Sequence, residues 1–247
     1  MKRLYLVILI ILLAIGLSSC KSAQKSPEKS VSQPKKGKKA VEKKVEPKKE
    51  KFSKDELKEK LKMPETNRDL NTAYDRGDSV ADFKLKDVEG NEISLYELLK
   101  EKPVMLEFGS YTCPVFRQNV PKTQKIYEKY KDRVNFLLVY VIEAHPAKSI
   151  SPYRGDEWTM MYSEDKQGNP VKQPQTYEER IKLASKCIKD ADLRISVVVD
   201  KMDNSIWKKY GPAPNLAYLI GMDKNVVDAH EWYNADRLES SIVKYLK

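Results

Sequence analysis

Residues 103–116 read Pro-Val-Met-Leu-Glu-Phe-Gly-Ser-Tyr-Thr-Cys-Pro-Val-Phe, an apolar run that breaks at Gly109 and hands Cys113 to the start of a helix. A thiol there meets unpaired backbone N–H groups and the positive end of the helix dipole, which favour the thiolate. Only the thiolate is a nucleophile, so the expectation is a sulfur that is ionised and reachable near neutral pH. The competing reading is a small buried hydrophobe, the commonest role of an isolated cysteine. The Gly-Ser-x-Thr approach and Pro114 in the first helical turn are hard to motivate by packing alone.

Three further groups could join such chemistry. His145 ends the next apolar run, where it can hold or donate a proton, or simply close a strand before Pro146. Glu107 lies six residues before Cys113 inside an apolar strand, where burial would raise its pKa; the alternative is an edge-facing or ion-paired glutamate. Cys187 falls off the apolar face made by Tyr177, Ile181, Ala184 and Ile188 of its helix, beside Leu183, and reads as reachable. It is either a resolving thiol for oxidised Cys113 or a passive residue, because nothing in the spacing fixes the distance between the sulfurs.

These residues need elements to hold them. Val104–Phe108 and Phe136–Ile142 read as interior strands covered on both faces. The helix between them has Phe116, Val120, Tyr127 and Tyr130 at helical spacing and is expected to kink at Pro121. Strand, helix and parallel strand form a right-handed βαβ unit, and His145 then lies beyond the carboxyl ends of the strands, where open α/β sheets place their sites. A hairpin over Ala81–Asp87 and Ile93–Leu95, turning at Glu89-Gly90-Asn91, precedes this unit, followed by a short helix near Tyr96–Lys100. A polar insertion, Glu143 to Gln175, follows the second core strand. Next come a helix Tyr177–Lys189, a strand Ile195–Val199, a short helix Asn204–Tyr210, strands Leu216–Ile220 and Val226–Val227, and a closing helix from Asp236. The fold class is α/β, a central mixed sheet flanked by helices.

The N-terminus, Met1-Lys-Arg followed by an apolar run to Leu17 and then Ser18-Ser19-Cys20, has the order of a secretory signal. Leu17-Ser-Ser-Cys20 resembles the bacterial lipobox, which implies lipid on the Cys20 sulfur and cleavage before it; the alternative is an uncleaved anchor helix. Both readings place the remainder outside the cytoplasm, and the first makes it a lipid-anchored protein of the bacterial cell envelope. Residues 20–52 then form a disordered tether of Lys, Pro, Ser, Glu and Val. Its coil dimension would be roughly 30 Å. Residues 53–78 read as a lead-in whose helix opens with Ser53 and Glu56 as a capping box, and residues 79–247 as one domain.

Of the net charge of +10, residues 21–52 carry +8, and residues 53–247 balance at 32 basic and 32 acidic side chains. The basic character belongs to the tether, which argues for an anionic membrane or wall surface beside it and against nucleic acid as a partner of the domain. His145 and His230 with two separated domain cysteines give no metal-ligand spacing, and no phosphate loop or nucleotide fingerprint occurs. His230, after the last strand, reads as a surface residue.

The element order, a cysteine at the mouth of the first long helix, and Pro121 eight residues later resemble a thioredoxin-like fold. Pro214, before the strand Leu216–Ile220, stands where that fold keeps a cis-proline facing the cysteine. Phe108-Gly-Ser-Tyr-Thr-Cys-Pro-Val-Phe116, Val139-Tyr-Val-Ile-Glu-Ala-His-Pro146 and Val199-Asp-Lys-Met-Asp-Asn204 are together similar to the iodothyronine deiodinase family and its bacterial relatives, from about Ser79 onward. The resemblance implies Cys113 as nucleophile, Glu143 and His145 as a hydrogen-bonding and proton-relay pair, and Ser110 as a polar neighbour of the sulfur. Glu107 stands where thioredoxins keep a buried carboxylate, which implies proton transfer to or from the sulfur. The expected function is thiol-dependent redox chemistry on a small-molecule or protein-disulfide electrophile, without a metal or organic cofactor and with an outside thiol as reductant. The alternative is a non-catalytic binding module of the cell envelope. Cys113-Pro-Val-Phe116 is not a Cys-x-x-Cys pair. The family's second histidine near 174–180, its arginine before Asn215 and its Gly-rich turn near 228–233 lack counterparts, which argues against an iodothyronine as the natural substrate.

Overall fold

The computed structural model describes residues 72–153, 157, 161–213 and 215–247. Cys20, the tether, the capping box at Ser53 and Pro214 lie outside the described residues.

Seven strands form one sheet in the order β2-β1-β5-β4-β3-β6-β7. They are β1 (Lys84–Asp87), β2 (Glu92–Ser94), β3 (Val104–Gly109), β4 (Asn135–Tyr140), β5 (Ser196–Val199), β6 (Ala217–Ile220) and β7 (Val226–His230). The central β3, β4 and β5 are parallel; β6 runs antiparallel to β3, β7 to β6, and β1 to β5. Among the described residues the helices are α1 (Leu95–Glu101), α2 (Pro114–Tyr130), α3 (Tyr177–Ala191), α4 (Ser205–Tyr210) and α5 (Ala235–Tyr245). The unit β3-α2-β4 followed later by β6-β7-α5 is the thioredoxin-like arrangement.

Helices cover both faces, which is why β3 and β4 read as continuous apolar runs. Strand alternation sends Met105, Phe136, Leu138 and Tyr140 toward α2, α3 and α5, and Leu106, Phe108, Leu137 and Val139 toward α1 and α4. Glu107 has the parity of Met105 and therefore lies under α2. The chain before β1 is also packed on the domain: Ala73 N donates to the Tyr210 carbonyl (3.0 Å) and Gly77 N to that of Val226 (2.8 Å).

Local chemistry fixes the helix ends. Cys113 caps α2 with extended backbone (φ −80°, ψ 115°), and Pro114 occupies the first turn, where a missing N–H costs nothing. The helix continues through Pro121 to Tyr130 as one element. Thr176 caps α3 by accepting from Glu179 N (3.2 Å), while the Glu179 carboxylate accepts from Gln175 N (2.7 Å).

Two expectations are overturned. The buried face of α3 is Arg180, Ala184 and Cys187, with Tyr177, Ile181 and Ile188 only flanking it, so Cys187 is buried rather than reachable. Counting apolar residues misplaced the face because a buried arginine occupies one of its positions. β7 extends to His230, which turns that ring inward toward α5 instead of to the surface; it is 1% exposed and its Nε2 lies 3.0 Å from Asp228 Oδ2.

Gly109 ends β3 where α2 crosses closest. A Cβ there would stand 2.7 Å from Phe116 Cδ2 and 2.9 Å from Cγ, both inside van der Waals contact. Gly109→Ala is expected to lower stability by about 1–3 kcal/mol through overpacking. Urea unfolding of Gly109→Ala, with Phe116→Leu as a second change that relieves the clash, checks this.

Candidate active site

The turn between β3 and α2 is closed by Cys113 N donating to the Ser110 carbonyl (3.1 Å). This sets Cys113 at the N-cap of α2, where its side chain closes no capping hydrogen bond but the backbone N–H groups of Val115 and Phe116 still favour the charged form. The thiol is nevertheless 1% exposed, and burial pushes it up to about 12, with Glu107 and Glu143 adding to the rise. The expectation of a sulfur ionised at neutral pH is therefore corrected for this conformation. A rise from 9 to about 12 corresponds to on the order of 4 kcal/mol against the thiolate. A helix terminus contributes about 0.3–1 kcal/mol, up to about 2 in partly buried geometry. Desolvation wins.

Thr112, which sequence reasoning passed over, organises the carboxylate and the imidazole. Its backbone N and Oγ1 both donate to Glu143 Oε2 (2.8 and 2.7 Å). His145 N donates to Thr112 Oγ1 (3.0 Å), and His145 Nδ1 lies 2.9 Å from the Thr112 carbonyl. A carbonyl only accepts, so Nδ1 carries the proton and Nε2 holds the lone pair of the neutral ring. Glu143 and His145 thus act on the residue next to the thiol and meet through Thr112, not as a directly bonded pair. A threonine beside a candidate nucleophile was the available signal.

Glu143 is fully buried, and its other oxygen accepts from the Tyr140 hydroxyl, which itself accepts from Tyr111 N (3.2 Å). Gln173, at the far end of the insertion, accepts from Glu143 N (2.9 Å) and donates to its carbonyl (3.2 Å). Burial raises the Glu143 pKa, while Thr112, Tyr140 and the charge of Arg180 pull it down. Arg180 is 1% exposed and donates through Nη1 to the carbonyls of Asp200 (3.1 Å) and Lys201 (2.7 Å). Burial lowers the His145 pKa, which keeps the ring neutral at pH 7.

Ser110 is buried with its Oγ accepting from Ala144 N (3.3 Å), a staple between the cysteine turn and the segment after β4. Glu107 is 1% exposed beneath α2, and Asn215 Nδ2 donates to its Oε1 (3.0 Å) and to the Phe108 carbonyl (2.8 Å). Burial raises Glu107 to about 8, against the opposing Asn215 hydrogen bond. Cys187 is 2% exposed on α3, and its charge would act on Tyr111, Tyr140 and Glu143. Neither Cys113 nor Cys187 is in a disulfide. Among the described residues, no group of three or more His, Cys, Asp or Glu side chains could hold a metal ion.

The sequence profile of the family described as Iodothyronine deiodinase matches residues 5–231. The chain belongs to the iodothyronine deiodinase family. Type II iodothyronine deiodinase of Sus scrofa is 33% identical over 142 residues, 56% of this chain and 49% of that protein. The type II enzyme of Homo sapiens is 33% identical over 146 residues, 53% of this chain and 50% of that protein. The matches thus span about half the length of these curated deiodinases. Among solved structures, the thioredoxin domain of a thiol-disulfide oxidoreductase from Bacteroides vulgatus aligns with a TM-score of 0.49 at 16% identity, over 71% of this chain and all of that one.

Glu107 gives the deiodinase-family domain a measurable pH signature. Its carboxyl binds the proton more tightly in the folded state than in the unfolded chain. Between the ordinary carboxylate value and about 8, the native state retains a proton that the unfolded state has released. Stability therefore falls as pH rises through that window and is fully present only below it. The span is on the order of 3–5 kcal/mol. Glu107→Gln is expected to flatten this slope and to exceed the native protein in urea resistance at pH 9 but not at pH 5.

Proposed function

We propose that the protein is a membrane-tethered, thiol-dependent oxidoreductase in which the Cys113 thiolate attacks a soft electrophile. The observation that carries the reading is the position of Cys113 at the N-cap of α2, beside a threonine that bonds both a buried carboxylate and an oriented imidazole. The names of the deiodinase relatives support an iodinated aromatic as the electrophile; a peroxide or a disulfide would engage the same sulfur.

For an aryl iodide the steps balance as follows. The thiolate takes the iodine as a sulfenyl iodide, the carbon–iodine bond breaks, and the aryl carbon receives a proton through the Glu143, Thr112 and His145 network. A second thiol attacks the sulfenyl iodide, releasing iodide and a proton and leaving a disulfide. A further thiol returns Cys113 and carries the oxidation away as an external disulfide. The second thiol is an outside reductant or Cys187; where it is Cys187, two outside thiols act in turn on the internal disulfide, free both cysteines and leave as the external disulfide. Glu107, under the sulfur, supplies or removes the thiol proton. No metal or organic cofactor enters these steps.

The tether is proposed from residues 17–52 alone: lipid on Cys20 and a lysine-rich spacer holding the domain at an anionic envelope surface. Among the described residues, no helix is long and apolar enough to cross a membrane.

The near-complete burial of Cys113 favours a second reading, a non-catalytic module of the cell envelope around a capped cysteine. Two assays decide between them: iodide release from an iodinated phenol with excess dithiothreitol, and stopped-flow oxidation of Cys113 by hydrogen peroxide. The enzyme reading expects turnover in at least one that Cys113→Ser abolishes. Inertness of the native protein in both, with normal function of Cys113→Ser in cells, selects the module. Glu143→Gln is expected to cost about 10²- to 10⁴-fold in kcat, the range for removing a positioned acid or base. If Cys187 resolves, Cys187→Ser leaves the first turnover intact and slows the steady state.

A further inference from the structure

Tyr153 belongs to the insertion after β4, and its hydroxyl oxygen is buried without a hydrogen-bond partner among the described residues. Native proteins seldom leave such a group unpaired, because phenylalanine fills the same space without the loss. The segment around it is tied to the site. Ser151 Oγ accepts from Tyr153 N (3.3 Å) and donates to the Ala144 carbonyl (3.0 Å), while Ala144 N donates to Ser110 Oγ (3.3 Å).

The Tyr153 ring packs against both faces of the sheet core and stands edge-on to Trp207, with centroids 6.1 Å apart at 79°. The Trp207 indole N–H donates to the Ala213 carbonyl (3.2 Å). The same N–H also acts on the phenol oxygen, too far off-line to count as its hydrogen-bond partner, and it can meet only the lone pairs, leaving the O–H proton unspent. Burial holds the phenol far above its ordinary range, so it keeps its proton and remains a donor. Among charged groups, the Cys113 sulfur acts on this hydroxyl most strongly, ahead of Glu143.

We infer that Tyr153 is a further catalytic residue, whose unspent O–H donates a hydrogen bond to the Cys113 sulfur whenever that sulfur carries negative charge. It does so in the attacking thiolate and again when the sulfur leaves as a thiolate during regeneration. This rests on the reading of Cys113 as nucleophile. Glu107 from β3 and Glu143 from the segment after β4 oppose a negative sulfur, and His145 is tied to the adjacent Thr112. Tyr153 adds an insertion-borne donor to the N-terminus of α2.

The test uses the full chain and follows iodoacetamide labelling of the Cys113 peptide by mass spectrometry, which resolves it from Cys187. At pH 8 the second-order rate in Tyr153→Phe is expected to fall about 10- to 100-fold, the size of one hydrogen bond to a charged group. The thermal midpoint stays level or rises, because an unsatisfied hydroxyl has been removed. Incorporation of 3-fluorotyrosine at 153, a stronger donor, raises the rate. An unchanged labelling rate in Tyr153→Phe overturns the inference, and a drop in thermal midpoint alone identifies a packing residue. Native Cys113 that resists labelling at every pH removes the nucleophile and this donor together, whereas normal native labelling with no effect of Tyr153→Phe removes only the donor.

Discussion

A carboxyl group without water must gather hydrogen bonds, and Glu143 gathers two from Thr112 in the turn that carries the thiol and one from Tyr140 at the end of β4. Charge-assisted bonds of this kind are about twice as strong as neutral ones and are lost together if the turn shifts. Because Thr112 is spent on Glu143, its carbonyl and its oxygen lone pairs are left to orient His145. Because Glu143 is spent on Thr112, its own backbone is held by Gln173 thirty residues away, which closes the insertion back onto the end of β4. One buried charge thus registers the cysteine turn, the imidazole and both ends of the insertion against one another.

What could be read from residues alone followed from period and punctuation. The runs Val104–Phe108 and Phe136–Tyr140 are apolar on both sides because helices cover both faces, and Gly109 with Pro114 marks the handover from strand to helix. What could not be read followed from buried polar groups that are satisfied at a distance. Arg180 looks like a solvent-facing residue of α3, yet the carbonyls of Asp200 and Lys201 receive it, and this rotates Cys187 into the core. His230 looks like a surface residue, yet the carboxylate of Asp228 two positions before it accepts a hydrogen bond from its ring and is itself held by Arg237 and Ser241. Each of these partners is joined by tertiary contact or side-chain direction, neither of which hydrophobic periodicity records. The residues that carry the deiodinase resemblance, by contrast, are short contiguous strings, so the placement of Cys113, Glu143 and His145 at one end of the sheet was legible before any coordinates.

The electrostatics of the site is a contest between burial and directed donors. Burial acts on every titratable group near the sulfur, raising Cys113, Glu107 and Glu143 together and lowering His145. All four shifts favour the uncharged form, so the resting site of this conformation is a low-charge cluster whose fixed cation is the buried Arg180. Negative charge can be placed on the sulfur only at the expense of one of the carboxylates, since like charges in a desolvated space exclude each other. Glu107, raised to about 8, is the carboxyl that most readily holds a proton near neutral pH, while Glu143 has three donors to keep its charge.

That asymmetry orders the chemistry. With Glu107 holding its proton beneath α2, a thiolate formed at Cys113 faces one negative charge fewer. The helix terminus supplies too little to offset burial, since the thiol stays raised with the N–H groups of Val115 and Phe116 already acting on it. On the proposed reading, a thiol so placed is quiet at rest and gains nucleophilicity when donors converge on it, or when an incoming electrophile draws off its charge in the same step. The burial that makes Cys113 look inert is also what makes each hydrogen bond to its sulfur worth more than it would be in water.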